Sequence, residues 1–599
     1  MNLEATPRAI TSVTGDFVLA SGPDRSDWLS SLPGFRIAHD DGVGVRLAVS
    51  GPASMAIRRD GTGWVALADL IEGDLADGEA AGLIPQRHWR GRFARAAWDA
   101  AGITATSDHF GSVPVYWCRV GDHIAVASDL RLLLHAPWCD ARLDLEAVYH
   151  YLNFSYVPAP LTICRQIRKL EPGSRLRLSR DRAESHCYFM PEYPADLHGT
   201  DAQLAAGLRE QIVATVQDYR PDDDVPWGCF LSGGTDSSSV VTILARQRPE
   251  TRVRTCSIGF AEAGYDELGY SRLAAERCNA DAHFGTVDRL RATQLIEAIV
   301  DGFDQPFGNA SAIPTLACAE LATSIGLDTL LAGDGGDEIF GGNQRYAKDR
   351  VMRAFHGLPD PLKRAARGAG RALGGSRSFL LNRVHNFVER ASLPNPDRFY
   401  TDDAFASDHY QALLTPEFRE HVGRDASLEF MRRVHARGGD AGELHRIMRL
   451  DLLMAIAQND LVKVNGGCKA QGVAVRFPFL DPRLVDYAGR LPERHKLRGL
   501  DKRHLFKRAM ADILPREILR KPKQGFGLPI AVWLRHDPAM QSLARSVLLD
   551  ERTRQRGWIE PACVERLLQR HISGAWDHSA ELWQLLMLEL WLRRTIDGS

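Results

Sequence analysis

A chain of 599 residues exceeds what one hydrophobic core can fill, so two or more domains are expected. Its 44% hydrophobic and 25% charged residues belong to a soluble globular protein, and a net charge of −2 excludes a globally basic nucleic-acid binder. No apolar run reaches about 18 residues, and Met1 to Arg8 lacks the basic-then-apolar layout of a signal peptide, so a cytoplasmic location is expected. The ten cysteines are scattered with no C-x-x-C pair, which argues against a zinc cluster and for free thiols in a reducing compartment. Cys229, Cys256 and Cys318 fall in apolar or small-residue runs and read as core.

Residues 1–190 read as β-rich. Short alternating runs recur at Phe17–Ala20, Val45–Val49, Trp64–Leu67, Val113–Trp117 and Ile124–Ala127, punctuated by Gly, Pro and Asp, which suggests a sandwich or layered sheet. A helix is expected over about 145–153 and a last strand over 175–178. Residues 191–201, with Pro191, Pro194 and Gly199, read as a linker. From 202 onward strands and helices alternate, the pattern of a parallel α/β sheet. Helices are expected near 202–217, 267–278, 292–303 and 314–324, with strands ending at Leu231 and covering 254–260, 283–287 and 329–332. In such sheets ligands bind at the carboxyl ends of the strands, where Ser232, Phe260 and Gly333 fall. A final helix is expected over 580–594, where Leu582, Leu585, Leu586 and Trp591 recur on a helical period.

The most telling stretch is Phe230–Ser239, which reads F-L-S-G-G-T-D-S-S-S between an apolar strand and a helical run. Free N–H groups at a helix start favour an anion, and glycines let the backbone approach it. Asp236 would repel a bare phosphate but suits one bridged by Mg²⁺. The same string also fits an ordinary turn capping a core helix. A second glycine-rich turn, Ala332–Gly342, carries Asp334, Asp337 and Glu338 at the end of another strand. Clustered carboxylates there suit a cation, although an acidic surface turn alone fits as well. The basic run Lys363, Arg364, Arg367, Arg371, Arg377 and Arg383 reads as a solvated helical face, with docking of an acidic peptide or protein as the alternative.

Taken together, S-G-G-x-D-S-S at 232–238, Ser257–Phe260, the acidic turn, Arg476–Asp481 (R-F-P-F-L-D) and Lys523-Gln-Gly-Phe526 resemble the asparagine synthetase-like family of ATP pyrophosphatases. The resemblance covers about 90–180 and 202–535. It implies an α/β synthetase domain of the adenine nucleotide alpha hydrolase-like kind over 202–599. Before it would stand an Ntn-type α+β glutaminase-like domain over 1–190. It further implies ATP with Mg²⁺ as cofactors. Leu231, Ser232, Gly233, Gly234, Asp236, Ser237, Ser238, Ser257, Ile258 and Gly333 would hold the nucleotide and pyrophosphate, and Asp236 and Asp337 the metal. Asp334 would sit near the reacting amine or carboxylate, and Lys523 beside the α-phosphate or acyl-adenylate.

Two departures, and the residue at 334, point to a branch of that family. The family's glutaminase nucleophile is a Cys directly after the initiator Met; here that residue is Asn2, and the first cysteine is Cys118. An amide cannot replace a thiolate, so the domain is expected to be inactive. Asn465, Cys468, Lys469 and Ala474 replace residues common in true asparagine synthetases, which puts a small aspartate pocket in question. β-Lactam synthetases have Tyr where Asp334 stands. The expected reaction is ATP-dependent amide formation through an acyl-adenylate. The branch most resembled is that of lasso peptide macrolactam synthetases, which join an Asp or Glu side chain of a precursor peptide to its own α-amine. A leader-binding protein and a leader protease would then be partners. The alternatives are a β-lactam or carbapenam synthetase, an ammonia-using asparagine synthetase, or an inactive scaffold.

Overall fold

The computed structural model describes residues 15–22, 28–41, 45–58, 61–75, 88–262, 264–265, 268–373, 379–521 and 528–598, with backbone alone over 369–373 and 379–383. Among these residues no helix is long and apolar enough to cross a membrane.

Among the described residues, twelve strands build the first part: β1 (Asp16–Ser21), β2 (Arg36–Asp40), β3 (Val45–Ser50), β4 (Ser54–Ile57), β5 (Gly63–Glu72), β6 (Arg90–Asp99), β7 (Gly102–Ser107), β8 (Tyr116–Val120), β9 (His123–Ala127), β10 (Ile167–Lys169), β11 (Ser174–Leu178) and β12 (Ala183–Cys187). They form two six-stranded antiparallel sheets, ordered β10-β8-β9-β1-β3-β2 and β12-β11-β7-β6-β5-β4. Alternation decides which side chains meet between them. Phe17, Leu19, Leu47 and Val49 of one sheet pack against Val65, Leu67, Ala94, Ala96 and Ile103 of the other. The intervening residues Val18, Ala48, Ala125 and Ala127 face outward into a second core, where the helix Leu130–Leu134 packs on β8 and β9 and the helix Leu145–Phe154 buries Ala147, Val148, Tyr151 and Leu152. The strand expected at Val113 starts only at Tyr116, because Pro114 has no N–H to give a ladder. Residues 188–200 contain no strand or helix.

A third sheet follows, made of β13 (Trp227–Phe230), β14 (Arg254–Phe260), β15 (Asp281–Val287), β16 (Thr329–Leu331) and β17 (Ala474–Arg476). All its pairs are parallel, in the order β15-β14-β13-β16-β17. The connecting helices Asp201–Asp218, Leu268–Arg277, Arg289–Gly302 and Ala312–Ser324 match the sequence expectation to within three residues at each end. The first of them starts at a reciprocal cap between Thr200 and Gln203. The chain runs outward from β13 to β15 and then returns to β16 on the other side of β13. That reversal opens a crevice at the carboxyl ends of β13 and β16.

The Arg476–Asp481 signature docks the two parts. Arg476 leaves β17 to donate two hydrogen bonds to Asp69 of β5, at 2.8 and 2.7 Å. Arg90 of β6 donates to the fully buried Asp481 at 2.6 Å, and Arg92 donates to the Val475 carbonyl at 2.5 Å. Asp481 also caps the helix Pro482–Arg490 through the backbone N–H groups of Arg483 and Leu484. On the opposite edge Lys469 pairs with Asp16 at 2.7 Å, and the Tyr116 hydroxyl donates to Asp304 at 2.7 Å.

Candidate active site

β13 and β16 are direct neighbours, with Cys229 opposite Leu331, so the two glycine-rich turns that follow them lie side by side although far apart in sequence. Between them opens a cavity of about 700 Å³, within the usual span of ligand pockets. Leu231, Ser232, Gly234, Asp236, Ser237, Ser257, Ile258, Gly333, Asp334 and Asp337 all line it.

The first turn is held by its own hydroxyls. The Ser232 and Ser237 side chains lie 3.1 Å apart, the Ser232 N–H donates to Ser237 Oγ, and the Gly234 N–H donates to Ser232 Oγ. Ser257 Oγ donates to the Leu231 carbonyl at 2.6 Å, tying β14 to the end of β13. The helix Thr235–Gln247 starts at Gly234 with no side-chain cap. Three residues expected at the site stand elsewhere. Gly233 turns away to lie against the Tyr270 backbone. Ser238 is buried, because one residue beyond Ser237 on a helix points a quarter-turn away, into the core. Phe260 ends β14 but packs edge-on to Trp533, at 6.1 Å, outside the cavity lining.

The second turn brings carboxylates inward. A Cβ on Gly336 would stand 2.5 Å from Asp236 Oδ1, so glycine is what lets Asp236 reach across the crevice. Asp236 and Asp337 both bind one guanidinium, that of Arg503. Its donors reach Asp236 Oδ1 and Oδ2 at 2.6 and 2.5 Å and Asp337 Oδ1 at 2.5 Å, and it also bonds Thr235 Oγ. Burial opposes the Arg503 charge, yet Asp236 and Asp337 hold its pKa above the ordinary guanidinium value. Hard carboxylate oxygens converging on a single cation are the donor set Mg²⁺ prefers.

Asp334 stands deeper, half-buried on the cavity wall. Burial raises its pKa to about 6; Lys463 opposes the rise, and Asp460 and Asp236 add to it. Lys463 Nζ donates to Asp460 Oδ1 at 2.7 Å, and both residues line the cavity. Burial lowers the Lys463 pKa, but Asp460 and Asp334 outweigh it and keep the ammonium charged.

Arg503, Asp460 and Lys463 escaped the sequence reading. Asp460 ends the π-helical segment Leu452–Asp460 and Lys463 stands three residues on, in the first turn of the helix Leu461–Lys469, and that spacing was the available signal. Arg503 is one of four cations between Lys502 and Arg508, and Lys507 and Arg508 are taken by Asp501 and Asp201. Lys523 lies outside the described residues. The nearby Lys521 lines the cavity with its ammonium 4.4 Å from the Tyr270 ring centroid.

Residues 207–593 match the asparagine synthase family, and residues 79–189 match a glutamine amidotransferase domain. The chain belongs to the asparagine synthase family. It is 30% identical over 535 residues to a "Putative asparagine synthetase [glutamine-hydrolyzing]" of Mycobacterium tuberculosis, covering 86% of this chain and 79% of that protein. It is 25% identical to "Asparagine synthetase [glutamine-hydrolyzing] 1" of Bacillus subtilis, covering 84% and 77%. It is also 24% identical to "Amidase chry2" of Gibberella zeae, covering 74% and 70%. As a member of this family it is an ATP-dependent carbon–nitrogen ligase that releases AMP.

Within this ligase the altered run 465–474 has a different meaning from the one its sequence suggested. Cys468 is buried in the core, and Ala474 is buried in β17. Asn465 and Lys469 line a separate cavity of about 70 Å³ between the two parts, with Asp16, Asp129, Lys169 and Asp304. None of the four lines the large cavity. Two of the departures, Asn465 and Lys469, thus face the interface between the two parts, and the other two are core. Asn2 lies outside the described residues. Among the described residues, the first strand opens at Asp16, whose carboxylate accepts from Lys469 and Ser128, and no cysteine lines the cavity beside it.

Proposed function

We propose that this ligase forms its amide within one substrate molecule. An Asp or Glu side chain of a precursor peptide attacks the α-phosphate of ATP, and the peptide's own N-terminal amine then displaces AMP from the acyl-adenylate. The product is a macrolactam of the lasso peptide kind, and a leader-binding protein and a leader protease are its expected partners. What supports this reading is the lack of a glutaminase nucleophile: the sequence from Met1 holds no cysteine before Cys118, and among the described residues an ion pair between Asp16 and Lys469 stands where the first strand begins. Without glutamine hydrolysis the amine must be free ammonia or part of the substrate.

The residues take roles that follow from their positions. Ser232, Gly234 and Ser237 bind phosphate oxygens. Asp236 and Asp337 would hold Mg²⁺, which offsets phosphate charge when bound. Asp334 accepts the proton that the N-terminal ammonium loses to become the attacking amine, and Lys463 steadies the developing negative charge. Lys523 contributes a cation at the adenylate.

A second reading, asparagine formation from aspartate and free ammonia, is favoured by the names of the relatives at 25–30% identity. ATP–pyrophosphate exchange with mass analysis of products separates the two. The first reading expects exchange with the precursor peptide and a product lighter by one water. Exchange with aspartate, yielding asparagine when ammonium is supplied, would replace it. A small cyclised β-amino acid would point to a β-lactam or carbapenam synthetase. In every case glutamine is expected to give no glutamate.

A further inference from the structure

Arg503 lies on the cation site itself. Its guanidinium is almost fully buried, with 6% of the residue exposed, and sits between the two carboxylates that would hold the metal. The surroundings are built to keep it there. Its backbone is held in the left-handed region, with φ +53°, a conformation uncommon for a residue with a Cβ. The guanidinium lies over the Phe506 ring at 4.9 Å, and Phe506 stacks on Phe340 of the acidic turn, also at 4.9 Å. A Cβ on Gly342 would stand 2.1 Å from Arg503 Nε and 1.8 Å from Asp337 Oδ1, so residue 342 has to lack a side chain for the pair to form.

The same geometry opposes a metal while Arg503 stays. One Arg503 nitrogen lies 2.5 Å from both Asp236 Oδ2 and Asp337 Oδ1, so those oxygens are no more than about 5 Å apart and are both engaged by one guanidinium. A divalent cation held by the same two carboxylates would stand within a few ångströms of that guanidinium, and like charges so close repel.

We propose that Arg503 is a placeholder cation, which neutralises Asp236 and Asp337 until nucleotide arrives and then moves to the phosphate oxygens as the metal takes the carboxylates. This rests on Asp236 and Asp337 being the metal ligands. A guanidinium suits both stations, since its fork matches carboxylate and phosphate alike. The consequence is thermodynamic coupling: metal and nucleotide each remove an obstacle to the other, so each strengthens the other's binding by the same factor. The empty enzyme then neither leaves two carboxylates uncompensated nor captures a metal without ATP.

The test measures Mn²⁺ binding by the electron paramagnetic resonance signal of free Mn²⁺, with and without α,β-methylene ATP and with no acceptor substrate. Wild type is expected to bind Mn²⁺ weakly alone and much more tightly with the nucleotide. Arg503→Met is expected to bind Mn²⁺ at least about tenfold more tightly than wild type without nucleotide, and to show a smaller gain when nucleotide is added. Arg503→Lys, which keeps the charge but not the fork, should fall between them and carries the test if the Met variant does not fold. Nucleotide-free affinity that is unchanged or weaker in both variants, with a normal nucleotide-dependent site in wild type, would overturn the placeholder alone. No Mn²⁺ binding in wild type even with nucleotide would overturn the metal site and the placeholder with it.

Discussion

Replacing Asp334 by Asn should separate the two halves of the reaction. The side chain keeps its shape and loses only the ability to take a proton. Burial has moved its pKa from the ordinary 3.8 to about 6, which brings it closer to an attacking N-terminal ammonium with a pKa of about 8. At ~1.4 kcal/mol per pH unit, that rise makes the proton transfer less uphill by about 3 kcal/mol, of which a fraction appears in the rate. Losing the base altogether should therefore slow amide formation by about 10²- to 10³-fold, within the usual span for general-base catalysis. Adenylation needs no proton from the carboxylate that attacks ATP, so ATP–pyrophosphate exchange should stay within about threefold of wild type. The sign of the pH dependence follows. Asp334 works as a base only when ionised, so wild-type amide formation should fall as pH drops through about 6, and in Asp334→Asn the fall should instead begin near the amine's own pKa of about 8. Single-turnover product formation beside exchange, each from pH 5 to 9, is the assay. Equal loss of exchange and amide formation, or an unchanged acid limb in the variant, would refute the role of Asp334 as the base.

Two further outcomes follow from packing. Gly336→Ala places a methyl 2.5 Å from Asp236 Oδ1, so it should push that carboxylate out of line and reduce exchange by at least about tenfold while thermal stability changes little; normal exchange would show that the turn yields freely. Asp69→Asn leaves the Arg476 guanidinium, 11% exposed, without its anion, and should weaken docking of the two parts by about 3 kcal/mol. Limited proteolysis and thermal melts should then show the β-sandwich releasing before the synthetase, and Asp69→Asn with Arg476→Met should recover part of the loss.

The Arg476–Asp481 signature explains why a part with no expected chemistry remains attached. Its charged ends are satisfied by Asp69 and Arg90 of the β-sandwich, so the sandwich completes the edge of the synthetase sheet. Nothing in the string R-F-P-F-L-D told docking from catalysis, because the partners lie hundreds of residues earlier. The run 465–474 misled for the same reason: adjacent residues on a helix and an edge strand face different neighbours, and here those neighbours are the core for Cys468 and Ala474 and the other part of the chain for Asn465 and Lys469.

The amino-acid sequence by itself determined the local pieces. Period-2 and helical patterns placed the strands and helices around β13 and β16 to within a few residues, while the helices between 344 and 451 were not legible in them. Glycines next to carboxylates marked both turns, because close backbone approach and clustered charge are properties of contiguous residues. Strand order was left to the tertiary structure. Only the neighbouring of β13 and β16 joins the turns into one cavity, only the helical twist sends Ser238 into the core, and only the fold selects Arg503 from a run of like cations to lie between Asp236 and Asp337. A charge carries no address in the chain; its partner is set by which strand ends and helix starts the sheet brings within a few ångströms.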